Sequence, residues 1–129
     1  MASKDTYNNI GVTLAVSPAV LSATNTSAAI DLAGFEGATV VVTSGAIVGA
    51  GNFTPKLQES DASGSGFTDV AAKDLLGAFP AALAADTAYK VGYLGSKRYV
   101  RTVITLNSGT SVAASAVILK SHARSKPVA

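Results

Sequence analysis

The chain of 129 residues has no cysteine, no tryptophan, one histidine and one methionine. Without cysteine there is no disulfide, no thiolate nucleophile and no thiolate-held metal. The histidine, His122, lies in the basic segment near the end of the sequence. A Ser-His-Asp hydrolase needs its histidine held between a nucleophile and an orienting acid, and His122 is poorly placed for that. A zinc site built from one histidine and carboxylates departs from the usual ligand sets. Charge is also scarce, at 14% of residues against ~25% in an average domain. No apolar run approaches the ~20 residues of a membrane-spanning helix. The opening Met1-Ala2-Ser3-Lys4-Asp5 leads into no apolar stretch, so no secretory signal is expected, and cytosolic synthesis is the default expectation.

What is present is mostly small. Ala, Gly, Ser and Thr make up nearly half of the chain, so the 48% hydrophobic content is padded by alanine. The length suits one domain with a thin core. Low net charge with this apolar content argues against disorder. All eight acids fall in residues 1–86, beside three of the ten bases, whereas residues 87–129 carry the other seven bases and no acid. Such a split predicts either a basic face for an anionic partner or strands that interleave so that the two signs pair.

Periodicity favours strands. Val12, Leu14 and Val16 alternate with Thr13 and Ala15 and stop at Pro18; Ala28, Ile30 and Leu32 alternate likewise. Residues 39–43 are a β-branched run of buried-strand type. Residues 53–60 alternate around Pro55, which cannot donate to a ladder and so predicts an edge strand or one that begins after it. Further runs cover 89–93, 100–106 and a continuous stretch at 112–119, and glycine-bearing turns separate them at 49–52, 63–66, 94–97 and 107–110. Together these predict an all-β single antiparallel β-sandwich, jelly-roll-like, with seven to eight strands. The whole chain, 1–129, reads as that one domain, with a polar N-terminal arm at about 1–10 and a basic C-terminal tail at about 120–129. The alanine-rich stretch 71–86 places Leu75, Leu76, Phe79 and Leu83 at helical spacing, but Pro80 breaks a longer helix. A strand at 74–79 pairing with 67–70, then a long loop, is the preferred reading.

Chemistry-bearing patterns fail one by one. There is no Gly-Lys pair for a P-loop, and Gly49-Ala50-Gly51 lacks the third glycine of a dinucleotide fingerprint. Residues 61–66 outline a calcium loop, but serines occupy its third and fifth positions and Ala72 its twelfth, where a bidentate glutamate is required. The segment reads as a hairpin loop. Paired carboxylates for glycosidase work are not singled out; most acids lie beside turns, where such residues bond to backbone. No catalytic, cofactor-binding or metal residue is assigned, and no cofactor is expected.

The segment Lys97-Arg98-Tyr99-Val100-Arg101 interleaves bases with an aromatic. On a strand, Arg101 shares the face of Tyr99 and Arg98 points away, with Tyr89 or Tyr93 across a hairpin. That pattern serves cross-strand pairing, a protein interface or, least favoured here, nucleic acid.

The runs Phe53-Thr54-Pro55-Lys56-Leu57-Gln58-Glu59-Ser60-Asp61, Phe67-Thr68-Asp69-Val70, Asp74-Leu75-Leu76-Gly77 and residues 89–101 resemble small structural proteins of tailed bacteriophages and prophages. Some of those are capsid decoration, or cement, proteins. The resemblance spans roughly residues 50–106 and brings no catalytic residues. It implies a non-enzymatic virion protein on the capsid exterior, whose partner is the major capsid protein and which forms a homo-oligomer, dimer or trimer, on the particle. A neck, tail or head-fibre-base component, or a host- or carbohydrate-binding module, are the alternatives. No membrane and no direct nucleic-acid partner is expected. On composition, the residues expected at the interface are Lys97, Arg98, Tyr99, Arg101, Lys120, His122, Arg124 and Lys126.

Overall fold

Runs rich in β-branched and other apolar residues give six long strands, each of which sends successive side chains to opposite faces of its sheet. They are β1 (Gly11–Leu21), β4 (Phe35–Val48), β5 (Asn52–Ser60), β8 (Ala88–Tyr93), β9 (Tyr99–Ser108) and β10 (Ser111–Ala123). Between them lie four two-residue strands: β2 (Asn25–Thr26), β3 (Ile30–Asp31), β6 (Thr68–Asp69) and β7 (Leu75–Leu76). Single 3-10 turns occupy Tyr7–Asn9 and Ala72–Asp74. The structure is a computed structural model and describes residues 7–123.

The strands form two antiparallel sheets, β1-β10-β4-β8-β7 and β2-β9-β5-β6, with β3 also on β9. The pairs are nested: β1 with β10, β2 and β3 with β9, β4 with β8, and β5 with β6. That is the pairing of one long hairpin folded over on itself, the arrangement of a jelly roll. The expected antiparallel sandwich is therefore what the chain forms. Ten strands stand where seven or eight were expected, because a two-residue strand is too short to leave a period in the sequence. Residues 74–79 form no strand with 67–70; β6 joins β5 through Gln58↔Asp69, and β7 joins β8 through Leu75↔Tyr93. The stretch 71–86 holds one 3-10 turn and no longer helix. Nor do β8 and β9 make a hairpin, since they belong to different sheets. Tyr89 and Tyr93 thus lie in the opposite sheet from Tyr99.

The core is the space between the sheets. Val40, Val42, Val91, Tyr93, Val112 and Ile118 enter it from the first sheet, and Phe53, Leu57, Val100 and Ile104 from the second. Fully burying one such side chain is worth ~1.5–3 kcal/mol. Pro55 lies in β5 opposite Ile104. β6 flanks β5 only at Gln58 and Glu59, so the missing proline N–H falls where no further strand is present. Irregular backbone covers that edge instead, through Leu83 N–H to Phe53 O at 2.9 Å. β1 is an edge strand broken by register shifts between Leu14 and Val16 and between Val16 and Ala19, the second at Pro18.

The segment expected as a basic tail begins inside the sheet. Lys120 and Ser121 pair with Ala38 and Gly37, and Ala123 with Phe35. Residues 124–129, with Arg124 and Lys126, lie outside the described residues, as do 1–6 of the expected N-terminal arm.

Candidate interaction surface

Each sheet has an outer face, and the two differ. In the second sheet the cross-strand rows on the outside are Thr54–Thr105, Lys56–Val103, Gln58–Arg101 and Ser60–Tyr99. Around Gln58 the side chains are bonded to one another and to Asp69 of β6. Arg101 Nε donates to Gln58 Oε1 at 2.8 Å, Gln58 Nε2 donates to Asp69 Oδ1 at 2.9 Å, and Lys56 Nζ meets the same carboxylate at 3.2 Å. Gln58 and Lys56 hold the Asp69 carboxyl below its ordinary value. The Arg101 guanidinium lies 4.3 Å from the centre of the Phe67 ring, a cation–π contact.

The outer face of the first sheet carries no such network. Its rows across β1, β10, β4 and β8 are Val12–Leu119–Thr39–Gly92 and Leu14–Val117–Val41–Lys90. Leu76 of β7 extends the first row beside Gly92. Val12, Leu14, Val20 and Leu76 are 63%, 54%, 68% and 66% exposed. Further along, the Thr43 and Ser115 hydroxyls bond to each other. Past them a shallow depression of about 200 Å³ opens between Pro18, Gly45 and Ala113. Lys90 is the one charged residue in these two rows, and it makes no ion pair among the described residues.

The expected basic cluster sits at one end of the sandwich. The Arg98 guanidinium donates twice to Asp31, from Nε at 2.9 Å and Nη2 at 2.8 Å. That bond and the Ala33 N–H hold the Asp31 carboxyl down to about 2, and the carboxylate raises Arg98 in turn. Lys97 Nζ reaches Asp61 Oδ2 at 2.8 Å, which raises the Lys97 ammonium. Acids of the first half thus pair with bases of the second, as the interleaved-strand reading of the charge split requires. Tyr99 is half-buried beside Arg98, whose guanidinium lies 5.1 Å from its ring centre. Lys120 Nζ lies 5.0 Å from the centre of the Phe35 ring and 3.4 Å from Asp31 O. His122 is exposed on β10. Of the expected interface residues, the structure brings Arg98 and Lys120 together around Asp31, leaves Lys97 with Asp61, and places Arg101 on the outer face of the second sheet.

Beside this cluster is a cleft of about 580 Å³ whose walls include Leu32, Phe35, Glu36, Tyr93, Lys97 and Arg98. Tyr93 spans the sandwich: its hydroxyl donates to Glu59 Oε1 at 2.6 Å and accepts from Lys97 N–H at 3.2 Å. Burial, then the Glu59 carboxylate, pushes the phenol pKa up, so Tyr93 stays protonated and acts as a structural donor. No group of three or more His, Cys, Asp or Glu could hold a metal ion among the described residues. No helix among them is long and apolar enough to cross a membrane.

The residues that composition missed are those of the apolar face: Val12, Leu14, Val41, Val117 and Leu119, with Lys90. The signal was the pair of runs at 39–43 and 112–119, apolar on both faces. A strand of that kind asks for cover on both sides, and the second sheet covers one.

No protein-family model matches the chain, and no curated protein matches it. Among solved structures, one described as "Structure of infectious bursal disease virus Gx strain" superposes with a TM-score of 0.46 at 14% identity. The match takes in 92% of this chain and 33% of that one, so the chain spans about a third of the length of that protein. At that TM-score and identity the likeness carries no functional argument.

Proposed function

We propose that the protein is a non-enzymatic virion structural protein of the decoration type, which binds the outside of a tailed-phage capsid shell and clamps adjacent major capsid subunits. The observation that carries an assembly role is the uncovered apolar face of the first sheet. The largest apolar patch on a soluble monomer, ~300–600 Å², is often its binding site, and here it lies opposite a face on which Arg101, Gln58, Asp69 and Lys56 bond to one another. The resemblance of residues 50–106 to small phage structural proteins supplies the kind of assembly.

The mechanism is geometric. A clamp that binds only the mature lattice stabilises it by mass action. Each copy contributes modestly, and many copies act in parallel. Co-sedimentation with particles assembled without the protein tests the reading, followed by a map of the decorated particle. Binding at positions repeated over the whole shell is the expected result. No binding, or occupancy confined to a ring at one vertex, refutes it; the latter assigns the protein to the neck or tail.

A further inference from the structure

We infer that attachment runs through the outer face of β1-β10-β4-β8, and that this face takes a protein surface of a different chain, apolar and carrying a carboxylate that meets Lys90. The inference rests on the assembly reading above and adds the surface and the chemistry of its partner.

Two features decide the occupant. The first is charge. In the rows of Val12 and Leu14 the polar groups are the Thr39 hydroxyl and the Lys90 ammonium, and no acid is present. Lys90 makes no ion pair among the described residues, whereas Lys56, Lys97 and Arg98 each hold an aspartate. Docking covers Lys90 at little cost only if the partner brings an anion, because an unpaired charge is expensive to desolvate.

The second feature is size. Four strands ~4.8 Å apart and about six residues of ~3.4 Å rise give a patch of roughly 400 Å². Two copies face to face would then bury about 800 Å² in total, the size of a lattice contact and short of the ~1,600 Å² of a standard interface. They would also set two faces without an acid against each other. Any partner must reach past the rim of the patch to make a standard interface, and one that also brings a carboxylate to Lys90 meets the charge requirement that this face of a second copy does not. The shallow depression between Pro18, Gly45 and Ala113 continues the same face and gives the partner a contour to fit.

The test uses the full chain and particles assembled without it, with binding measured by co-sedimentation across a range of salt. Leu14→Ser and Lys90→Glu are expected to weaken binding at least tenfold each. Ser115→Leu, which fills the depression, is expected to do so severalfold. Lys56→Glu makes the same charge change on the opposite sheet and is expected to leave binding within twofold of wild type. Thermal melts confirm that each variant folds; if Leu14→Ser does not, Lys90→Glu at the exposed edge carries the test. If wild type binds and the three face variants bind equally well, the surface is wrong while the assembly reading stands. If wild type binds no particle, both fall together. Tighter binding by Lys90→Glu overturns the carboxylate partner. Sedimentation velocity of the free protein supplies the last outcome: face variants that abolish self-association while particle binding is unchanged make a second copy the occupant, against the inference.

Discussion

Ile118 and Val117 are neighbours on β10, the strand between β1 and β4, and they face opposite ways. Ile118 is fully buried, flanked by Thr13 and Val40, while Val117 is half-buried on the outer face between Leu14 and Val41. Ile118→Ala removes three carbons from a closed core, and such truncations cost ~2–5 kcal/mol because the cavity relaxes only in part. Domains are stable by only ~5–15 kcal/mol, so a large share of the total is lost, and the melting temperature is expected to fall by ~10–20 °C. Val117→Ala removes two carbons that water already half reaches. At ~0.8 kcal/mol per fully buried methylene, its cost is expected to stay below about 1 kcal/mol. Urea unfolding measures both, and an unchanged slope with a shifted midpoint shows that stability alone has moved. Binding to undecorated particles is expected to rank the two the other way, with Val117→Ala the weaker binder at a temperature where both are folded. Equal losses of stability, or a larger loss at Val117, would mean that β10 presents its other face to the core. The division into inner and outer faces would then be wrong.

Three further outcomes are expected. Thr102 Oγ1 is buried in the core without a hydrogen-bond partner, so Thr102→Val, nearly the same shape, should raise stability by about 1 kcal/mol; a lower melting temperature refutes the unpaired hydroxyl. Tyr93→Phe strips Glu59 of a donor and the Lys97 N–H of an acceptor, and should cost ~1–3 kcal/mol by urea unfolding; a neutral result shows that the clasp between the sheets is idle. Asp31 has a folded pKa of about 2 against an ordinary 3.8, so its contribution is complete above the ordinary value and is lost as pH falls through the folded one. Wild type should therefore lose stability between about pH 4 and 2 more steeply than Asp31→Asn, by a small margin because the pair is exposed; parallel acid profiles would refute the assignment.

Much of the fold was legible in single residues. The alternation of Val12, Leu14 and Val16, the turn glycines and the run from Val100 to Leu106 each name a strand that exists. What stayed hidden has a common cause. β2, β3, β6 and β7 are two residues long and are fixed by long-range pairing, such as Asn25↔Ile104 and Gln58↔Asp69, so no local pattern marks them. The pairing of acids with bases was posed correctly by the charge split but could not be resolved without knowing that β3 lies against β9, which brings Asp31 to Arg98. The expected cluster drew attention to charge because charge is conspicuous in a sequence poor in it. The apolar face is assembled from Leu14, Val117 and Val41, residues drawn from strands far apart in the chain, and it becomes a patch only once the roll is closed.

The nested pairing also bears on how the protein is made. β10 is the last of the described strands, yet it is the bridge between β1 and β4. Gly11 must wait for Lys120, some ~100 residues later, which at ~5–20 residues/s is ~5–20 s of ribosome time. Through that interval β1 has no neighbour and the first sheet cannot close. The nascent chain then offers the same valines and leucines to chaperones and to other nascent chains. Contacts of such long range also make for slow folding once the chain is free. Pro18, which has no N–H to donate to a ladder, makes β1 a poorer template for strand addition while its own neighbour is still to come.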